Sequence, residues 1–382
     1  MFGIFAPRYV KESDALLKSA RKLLDYKRDL WGATTVADFA LQMVKLRDAM
    51  ARRDAKAVTE ESVRLDQMAG KFSPAPTDAG WRENCEVFLV AIVIALGVRT
   101  FFLQPFTIPT GSMQPTLNGI IGHPTKEPPP NILVRTAQKV LLGRGYVDVV
   151  CEEDGAVVEM REVTQFFFFT STQIRCGSRT YTLGVPRDTL TNYFRVDLGR
   201  EYRRGDIIAR GYVDTGDHVF VDKMSYNFRT PHHDEVFVFK TTDIKKIEAR
   251  LNPELGSQFY IKRLGGLPGD ELRIDPPTLY QNGKRATGFG YERVMAARDG
   301  YRGYTNSSEQ VFPNGQAFYS PMTFLNEPES TFRIPQKCYF ALGDNSYHSS
   351  DSRDWGTVPQ QNIMGRGLFV YWPFNSHWGL IR

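Results

Sequence analysis

Cysteine, histidine and net charge are all low in this sequence. Its 382 residues include 4 cysteines and 6 histidines, and the formal net charge is +5. So few cysteines do not make a disulfide framework and none forms a Cys-x-x-Cys motif, although Cys151 and Cys176 are a candidate pair in an oxidising compartment. The small positive charge is diffuse and comes without a basic recognition motif, which argues against a nucleic-acid partner.

Long apolar runs are scarce as well, and one run reaches the proportions of a membrane helix. Val87–Val98 is apolar throughout, and continuation to Leu103 gives the roughly 20 residues that a span requires. Arg99 lies near the outer end, where a long basic side chain reaches the headgroups. Basic residues flank the N-terminal side and few follow, which places the N-terminus inside. We predict a transmembrane helix over 83–104, with a buried core helix as the alternative.

The segment Leu103–Leu117 follows this run directly. Its three prolines disfavour a helix, and Gly111 allows a tight backbone turn before Ser112. A serine on such a loop is a candidate nucleophile at the bilayer surface. The alternative is a polar loop that leaves a membrane anchor.

A serine nucleophile needs a base, and histidine is a poor candidate here. None of the histidines lies in a setting typical of Ser-His-Asp hydrolases, and no Gly-x-Ser-x-Gly elbow occurs. Lys262 follows a strand-like run, and strand alternation places it on the same face as Tyr260. Burial lowers the pKa of a lysine toward neutrality, which makes it a base. A solvated Lys-Arg pair at the end of a strand is the alternative.

Four segments together resemble the sequence boxes of bacterial type I signal peptidases, and they occur in that family's order. The similarity covers about 85–118, 216–274 and 338 to the C-terminus. The segments are Pro109-Thr-Gly-Ser-Met-Gln-Pro-Thr-Leu117, Gly216-Asp-His-Val-Phe-Val-Asp-Lys223, Tyr260-Ile-Lys-Arg-Leu-Gly-Gly-Leu-Pro-Gly-Asp270 and Gly343-Asp-Asn-Ser-Tyr-His-Ser-Ser-Asp-Ser-Arg-Asp-Trp-Gly-Thr-Val-Pro359.

Two segments depart from the family pattern. His232-His-Asp-Glu235 stands where family members commonly have Arg-Gly-Asp, and Ser346-Tyr-His348 replaces a charged pair in the last box. Neither departure changes Ser112 or Lys262.

The resemblance implies a Ser-Lys catalytic dyad. Ser112 matches the nucleophile and Lys262 the general base, which takes the serine proton and later activates water. Thr110 matches the hydroxyl residue that forms an oxyanion hole with the Ser112 N–H, and such donors lower a barrier by about 3–4 kcal/mol. No metal or organic cofactor is implied.

The same resemblance implies supporting and substrate-binding residues. Ser349 matches the hydroxyl that orients the lysine, and Asp351 and Arg353 match a supporting ion pair. Six apolar positions match shallow pockets for small substrate side chains, which suit Ala-x-Ala cleavage sites. These are Phe106, Ile108, Met113, Leu117, Tyr260 and Ile261; ordinary core packing accounts for them equally. An extended peptide is expected to bind as an added strand.

The predicted architecture is a mainly β catalytic domain with a signal-peptidase-like fold, one N-terminal transmembrane helix and a helical cytosolic extension. Residues 1–82 form the extension, which reads as an amphipathic helical hairpin. Residues 105–382 form the β domain. An inserted β module occupies about 118–215, and a turn-rich second insertion occupies about 275–337.

One aromatic run within the first insertion has two interpretations. Phe166–Phe169 is either a buried strand or a segment that dips into the membrane interface.

The resemblance, together with the apolar run and its flanking charges, implies a membrane-bound serine endopeptidase of a bacterial plasma membrane, with its N-terminus cytoplasmic and its catalytic domain outside. Expected partners are precursor proteins that carry signal peptides, membrane lipid and the translocation machinery. Two alternatives stay open: another Ser-Lys protease, such as a self-cleaving repressor, and a catalytically silent β domain that binds exported peptides.

Overall fold

The structure is a computed structural model that divides into two compact units, Met1–Val93 and Ile94–Arg382. The residues that it describes are 7–72, 79–165, 169–250, 256–311 and 316–382.

The first unit contains helices α1 (Arg8–Lys27), α2 (Ala33–Arg52) and α3 (Ala55–Phe72). Phe39, Leu46 and Leu65 are fully buried in their shared apolar core. Three helices, rather than the predicted hairpin, form because the chain turns sharply at two adjacent residues. Arg53 adopts a left-handed conformation with φ of 58°, and the Asp54 carboxylate accepts the backbone N–H groups of the first turn of α3.

Helix α4 (Ala79–Phe101) carries the apolar run, and Gly80–Phe101 is long and apolar enough to cross a membrane by length and composition. The predicted bounds of 83–104 extend too far at the C-terminal end. The chain enters a strand at Leu103, because Pro105 excludes a helical conformation for the residue before it.

Strands dominate the second unit, with the remaining helices short and placed between them. The strands are β1 (Leu103–Thr107), β2 (Ile121–Pro124), β3 (Arg144–Val150), β4 (Gly155–Gln165), β5 (Phe169–Cys176), β6 (Arg179–Leu183), β7 (Glu201–Tyr202), β8 (Ile207–Asp214), β9 (His218–Asp222), β10 (Val236–Lys240), β11 (Phe259–Gly266), β12 (Glu271–Asp275), β13 (Thr278–Gln281), β14 (Lys284–Arg285), β15 (Ser307–Val311), β16 (Ala317–Pro321), β17 (Thr331–Arg333), β18 (Cys338–Leu342), β19 (Val358–Pro359), β20 (Ile363–Trp372) and β21 (Gly379–Leu380). The helices are α5 (Ile132–Leu142), α6 (Arg187–Phe194), α7 (Ser225–Phe228), α8 (Lys245–Glu248), α9 (Phe289–Met295) and α10 (Ser352–Trp355), and 3₁₀ turns occupy Gly111–Met113, Ser346–His348 and Gln360–Asn362.

The central sheet is antiparallel and has the strand order β1-β9-β20-β10-β11-β18-β19, with β21 paired to β20. Strand β10 is buried on both faces, which explains its unbroken apolar sequence. Val236 and Val238 pack into one apolar cluster, and Phe237 and Phe239 pack into another. Alternation along the strand therefore gives the sheet a core on each side.

The first insertion forms two further sheets, ordered β2-β8-β3 and β6-β5-β4-β7. It is not purely β as predicted, because α5 and α6 also belong to it. Cys151 and Cys176 are buried in its apolar core as free thiols, and their Sγ atoms lie 3.8 Å apart. The interpretation of Phe166–Phe169 falls on a run that lies mostly outside the described residues.

The second insertion begins at Glu271 and forms a sheet ordered β14-β13-β12-β17 and a separate hairpin, β15-β16. Leu272 and Ile274 share an apolar cluster with Phe340 and Leu342 of β18. The insertion is thus packed directly against the central sheet.

Candidate active site

Ser112 lies in the tight 3₁₀ turn that follows edge strand β1, and it is almost completely buried. The backbone at the start of this turn packs closely against Gly119. A Cβ atom at that position would lie 2.3 Å from the carbonyl carbon of Thr110, so a side chain there would displace the backbone directly before the turn. The buried position of the serine therefore depends on a glycine seven residues away.

Lys262 lies on β11 opposite Phe237 of β10, and its Nζ is 2.6 Å from Ser112 Oγ. Burial disfavours the charged ammonium and lowers its pKa from 10.5 to about 8, although Asp351 and Asp344 act in the opposite direction. A substantial fraction of the lysine is then neutral near pH 8. A neutral amine at this distance is able to accept a proton from the serine hydroxyl.

Asp351 and Arg353 form a fully buried ion pair beside this dyad. Arg353 donates from Nε and Nη2 to the two carboxylate oxygens at 2.9 and 2.7 Å. Asp351 also accepts the N–H of Gly343, and Arg353 Nη1 donates to Ser346 Oγ at 2.7 Å. Ser346, one of the residues that depart from the family pattern, is therefore a partner of the ion pair.

Ser349 and Thr110 lie close to the dyad without hydrogen bonds that would define their predicted roles. The Ser349 hydroxyl is buried and has no hydrogen-bond partner within the described residues, so the expected bond to Lys262 is not formed. It packs against Gly343, where an added Cβ would lie 2.0 Å from its Oγ. Thr110 is exposed directly before the turn that carries Ser112.

A second buried charge network was not predicted from the sequence. Arg263, next to Lys262, donates from Nε and Nη2 to Asp344 at 2.8 and 2.7 Å and from Nη2 to Thr116 Oγ1 at 3.0 Å. Thr116 in turn donates to Asp344 at 2.5 Å. The network ties the loop after Ser112 to β11 and to the last box. The Lys-Arg pair and the Gly-Asp-Asn sequence were its only signals.

The other departure from the family pattern contributes an ion pair and a histidine–carboxylate hydrogen bond. Glu235 lies 2.6 Å from Arg229, and the ring of His233 lies 2.6 Å from Asp270. Both pairs are at the start of β10 and away from Ser112 in sequence.

Of the six residues predicted to contact substrate, three are buried and three are partly accessible. Ile108, Met113 and Leu117 are buried in an apolar cluster against which Phe106 and Ile261 pack. Tyr260 is partly buried on the other face of the sheet. Lys262 Nζ lies 5.8 Å from its ring centre, which agrees with the predicted alternation along β11. The partly accessible members are Phe106, Tyr260 and Ile261.

Within the described ranges, no group of three or more His, Cys, Asp or Glu side chains is placed to hold a metal ion.

Known proteins that are similar to this chain include signal peptidases. Signal peptidase I of Leptolyngbya laminosa is 30% identical over 163 residues, which are 43% of this chain and 64% of that protein. A probable signal peptidase I-2 of Synechocystis is 31% identical over 42% of this chain and 57% of that protein. The chain thus matches less than two thirds of either relative. Signal peptidase I of Rickettsia typhi is 26% identical over a longer region, 76% of this chain and 80% of that protein.

A solved structure of signal peptidase I from Enterococcus faecalis V583 is 24% identical and covers 36% of this chain and 97% of that one, with a TM-score of 0.24. That score is too low to bear on the fold. The family model described as signal peptidase, peptidase S26, matches residues 81–121 and 209–372, more than half of the chain. The chain belongs to the signal peptidase family, peptidase S26.

Proposed function

We propose that this protein is a membrane-bound serine endopeptidase that removes signal peptides from exported precursor proteins by means of a Ser112–Lys262 dyad. The observation that carries the proposal is the 2.6 Å contact between Ser112 Oγ and the Nζ of a buried lysine whose pKa is lowered to about 8. Family membership supports the same activity.

The proposed reaction begins when neutral Lys262 takes the proton of the Ser112 hydroxyl. The serine oxygen attacks the scissile carbonyl, and the lysine then passes the proton to the leaving amine. Water resolves the acyl-enzyme with the lysine again as base. The Thr110 hydroxyl and the Ser112 N–H stabilise the oxyanion, and the exposed position of Thr110 leaves its hydroxyl accessible to substrate.

Ser349 has a related role in this proposal. Its buried hydroxyl lacks a partner within the described residues and lies beside the backbone of Gly343, next to Ser112. In the proposed mechanism this hydroxyl bonds to the lysine ammonium once it has formed and orients it.

Substrate selection follows from the apolar surroundings of Ser112. Phe106 and Ile261 form part of a wall whose deeper layer, Met113 and Leu117, has no exposed surface. A wall this closely packed accepts small side chains such as alanine. In the described part of the chain β1 pairs with β9 alone, so its outer edge is free to pair with an extended peptide.

The proposal places α4 across a bacterial plasma membrane, with the N-terminal helices in the cytoplasm and the catalytic domain outside. The apolar composition of Gly80–Phe101 supports this placement. Lipid and the translocation machinery are then its neighbours.

The test is cleavage of a purified precursor whose signal peptide ends in Ala-x-Ala, in detergent, by the wild type and by Ser112→Ala and Lys262→Ala. We expect cleavage at that bond by the wild type and none by either folded variant. Lys240→Ala on neighbouring β10 is the matched control, because this lysine is exposed and lies outside the site, and it should retain full activity. Equal behaviour of all four proteins would instead favour a peptide-binding domain without catalysis.

A further inference from the structure

Helix α5, in the first insertion, presents its apolar side to solvent. Ile132, Leu133, Val140 and Leu141 are 68, 79, 63 and 52% exposed, and no residue of the helix is buried. These positions share one side at 3.6 residues per turn. A surface helix normally turns such a stripe toward the core.

The helix is held in this orientation by polar contacts on its opposite side and at its C-terminal end. Gln138 Oε1 accepts the Tyr146 hydroxyl at 2.5 Å. The carbonyl of Val140 accepts Trp372 Nε1 at 2.7 Å, and the carbonyl of Leu141 accepts the N–H of Phe374. Because these bonds fix the helix through its polar groups, the apolar side remains without a partner among the described residues.

The charges of α5 indicate what covers that side. Its two charged residues, Arg135 and Lys139, are both basic, and it contains no acidic residue. They flank the apolar stripe along one border. This arrangement of a basic border beside an apolar stripe is typical of helices that lie in the plane of a membrane with anionic headgroups. A second copy of the chain is a poorer occupant, because a facing α5 offers no acidic residue to pair with Arg135 and Lys139.

Exposed aromatic side chains lie near the C-terminal end of α5. Phe374, bonded through its backbone to the end of α5, is largely exposed, and its ring centre lies 6.2 Å from that of the exposed Trp378. Tryptophan and other aromatic rings are enriched where protein meets the headgroup region.

We propose that α5 is an interfacial membrane helix that lays Ile132, Leu133, Val140 and Leu141 into the surface of an anionic bilayer. The insertion would then give the β domain a membrane contact of its own, apart from helix α4. Most of the insertion, α5 included, lies outside the two ranges that the family model matches, so this contact is a property of the added segment.

The test measures depth in the membrane and requires no peptidase activity. An environment-sensitive fluorescent amino acid replaces Leu133 in the full chain, reconstituted in phosphatidylcholine–phosphatidylglycerol vesicles that contain lipids brominated on the acyl chains. The matched control carries the same fluorophore at Leu198, an equally apolar exposed position of the same insertion. We expect the brominated lipid to quench position 133 at least about twofold more than position 198, because interfacial helices reach the acyl boundary.

Further measurements distinguish a membrane from a second copy of the chain as the partner of the apolar side of α5. The double variant Arg135→Gln with Lys139→Gln should remove the dependence of quenching on phosphatidylglycerol content. A solvent-like signal at position 133 in all vesicles overturns the proposal. A blue-shifted but unquenched signal that grows with protein concentration would identify a second copy as the occupant and also overturns it. The same measurement with Ser112→Ala gives an answer even if the proposed peptidase activity is wrong.

Discussion

The central sheet and the first insertion bury different kinds of residues. Around Ser112 the central sheet and its loops bury, in addition to Lys262, four charged side chains that pair among themselves, and all four are fully or almost fully inaccessible. The core of the insertion is apolar, and its ion pairs, such as Arg175 with Glu159, remain at the surface. The four buried charges are Arg263, Asp344, Asp351 and Arg353.

The difference indicates that the two regions are built for different purposes, the insertion for stability and the sheet around Ser112 for its site. Buried charges are stable only where each is paired, so a network of this kind is costly to alter and is a poor way to stabilise a fold. The sheet holds such a network beside Lys262, the residue that accepts a proton in the proposed mechanism. The insertion has no comparable arrangement among its described residues and depends on apolar burial alone.

The contrast between the two regions is tested most strongly by the pH dependence of kcat/KM. Since only neutral Lys262 accepts a proton, kcat/KM should rise about tenfold per pH unit below pH 8 and level off above it. Burial raises the pKa of Tyr260 above its usual range and lowers that of His218 below its usual range, so both are moved away from pH 8. A profile that is flat from pH 6 to pH 9 would contradict the role of the lysine.

The next effect is on stability and compares one buried with one exposed ion pair. Arg353→Met leaves Asp351 buried without its partner and should lower the free energy of unfolding by about 3–5 kcal/mol. Arg175→Met removes the exposed pair with Glu159 and should cost less than about 1 kcal/mol. Denaturant unfolding of both variants measures the difference, and equal losses would remove the distinction between the two regions.

A third effect has the opposite sign. The pKa of Lys262 is about 8 in the folded protein and 10.5 ordinarily, so burial of its charge opposes folding below pH 8, and this cost declines as the pH rises from 8 to 10.5. Lys262→Met should therefore raise the free energy of unfolding at pH 7, by up to about 3 kcal/mol, while it abolishes cleavage. The gain should shrink at pH 10, and a destabilised variant at pH 7 would refute this account.

The smallest effect concerns the thiols of the insertion. Burial, together with neighbouring Cys151, raises the pKa of Cys176 to about 11, so iodoacetamide at pH 8 should modify it far more slowly than the partly exposed Cys338. Unfolding should equalise the rates. Alkylation of Cys151 and Cys176 that requires a reductant even in denaturant would instead demonstrate a disulfide.

The sequence was sufficient to predict the residues that the structure brings together at the site. The resemblance of four segments to the family's boxes pointed to Ser112, Lys262, Asp351 and Arg353, and the structure brings these side chains together. Local patterns also predicted the mainly β class and the apolar helix, with its C-terminal end misplaced by three residues beyond Phe101.

Other features depend on tertiary structure and were missed. The hydrogen bonds among Thr116, Arg263 and Asp344 join three segments that are distant in sequence, and no local sequence pattern predicts them. Helix α5 was missed because its apolar residues lie at its two ends and resemble strand fragments, and because its stripe faces outward. The Ser349 bond to Lys262 was inferred from the resemblance and is not formed in this structure.

The strand order of the central sheet also has a consequence for the time at which the site forms. Ser112 follows β1, which pairs with β9, whereas Lys262 lies on β11, which pairs with β10. Strand β20 lies between β9 and β10 and joins these two halves. Strand β20 follows the other strands named here in the sequence, so a ribosome makes last the strand that joins these two pairs. The continuous sheet that joins the strand before Ser112 to the strand of Lys262 is therefore complete only after the chain has been made to about Trp372.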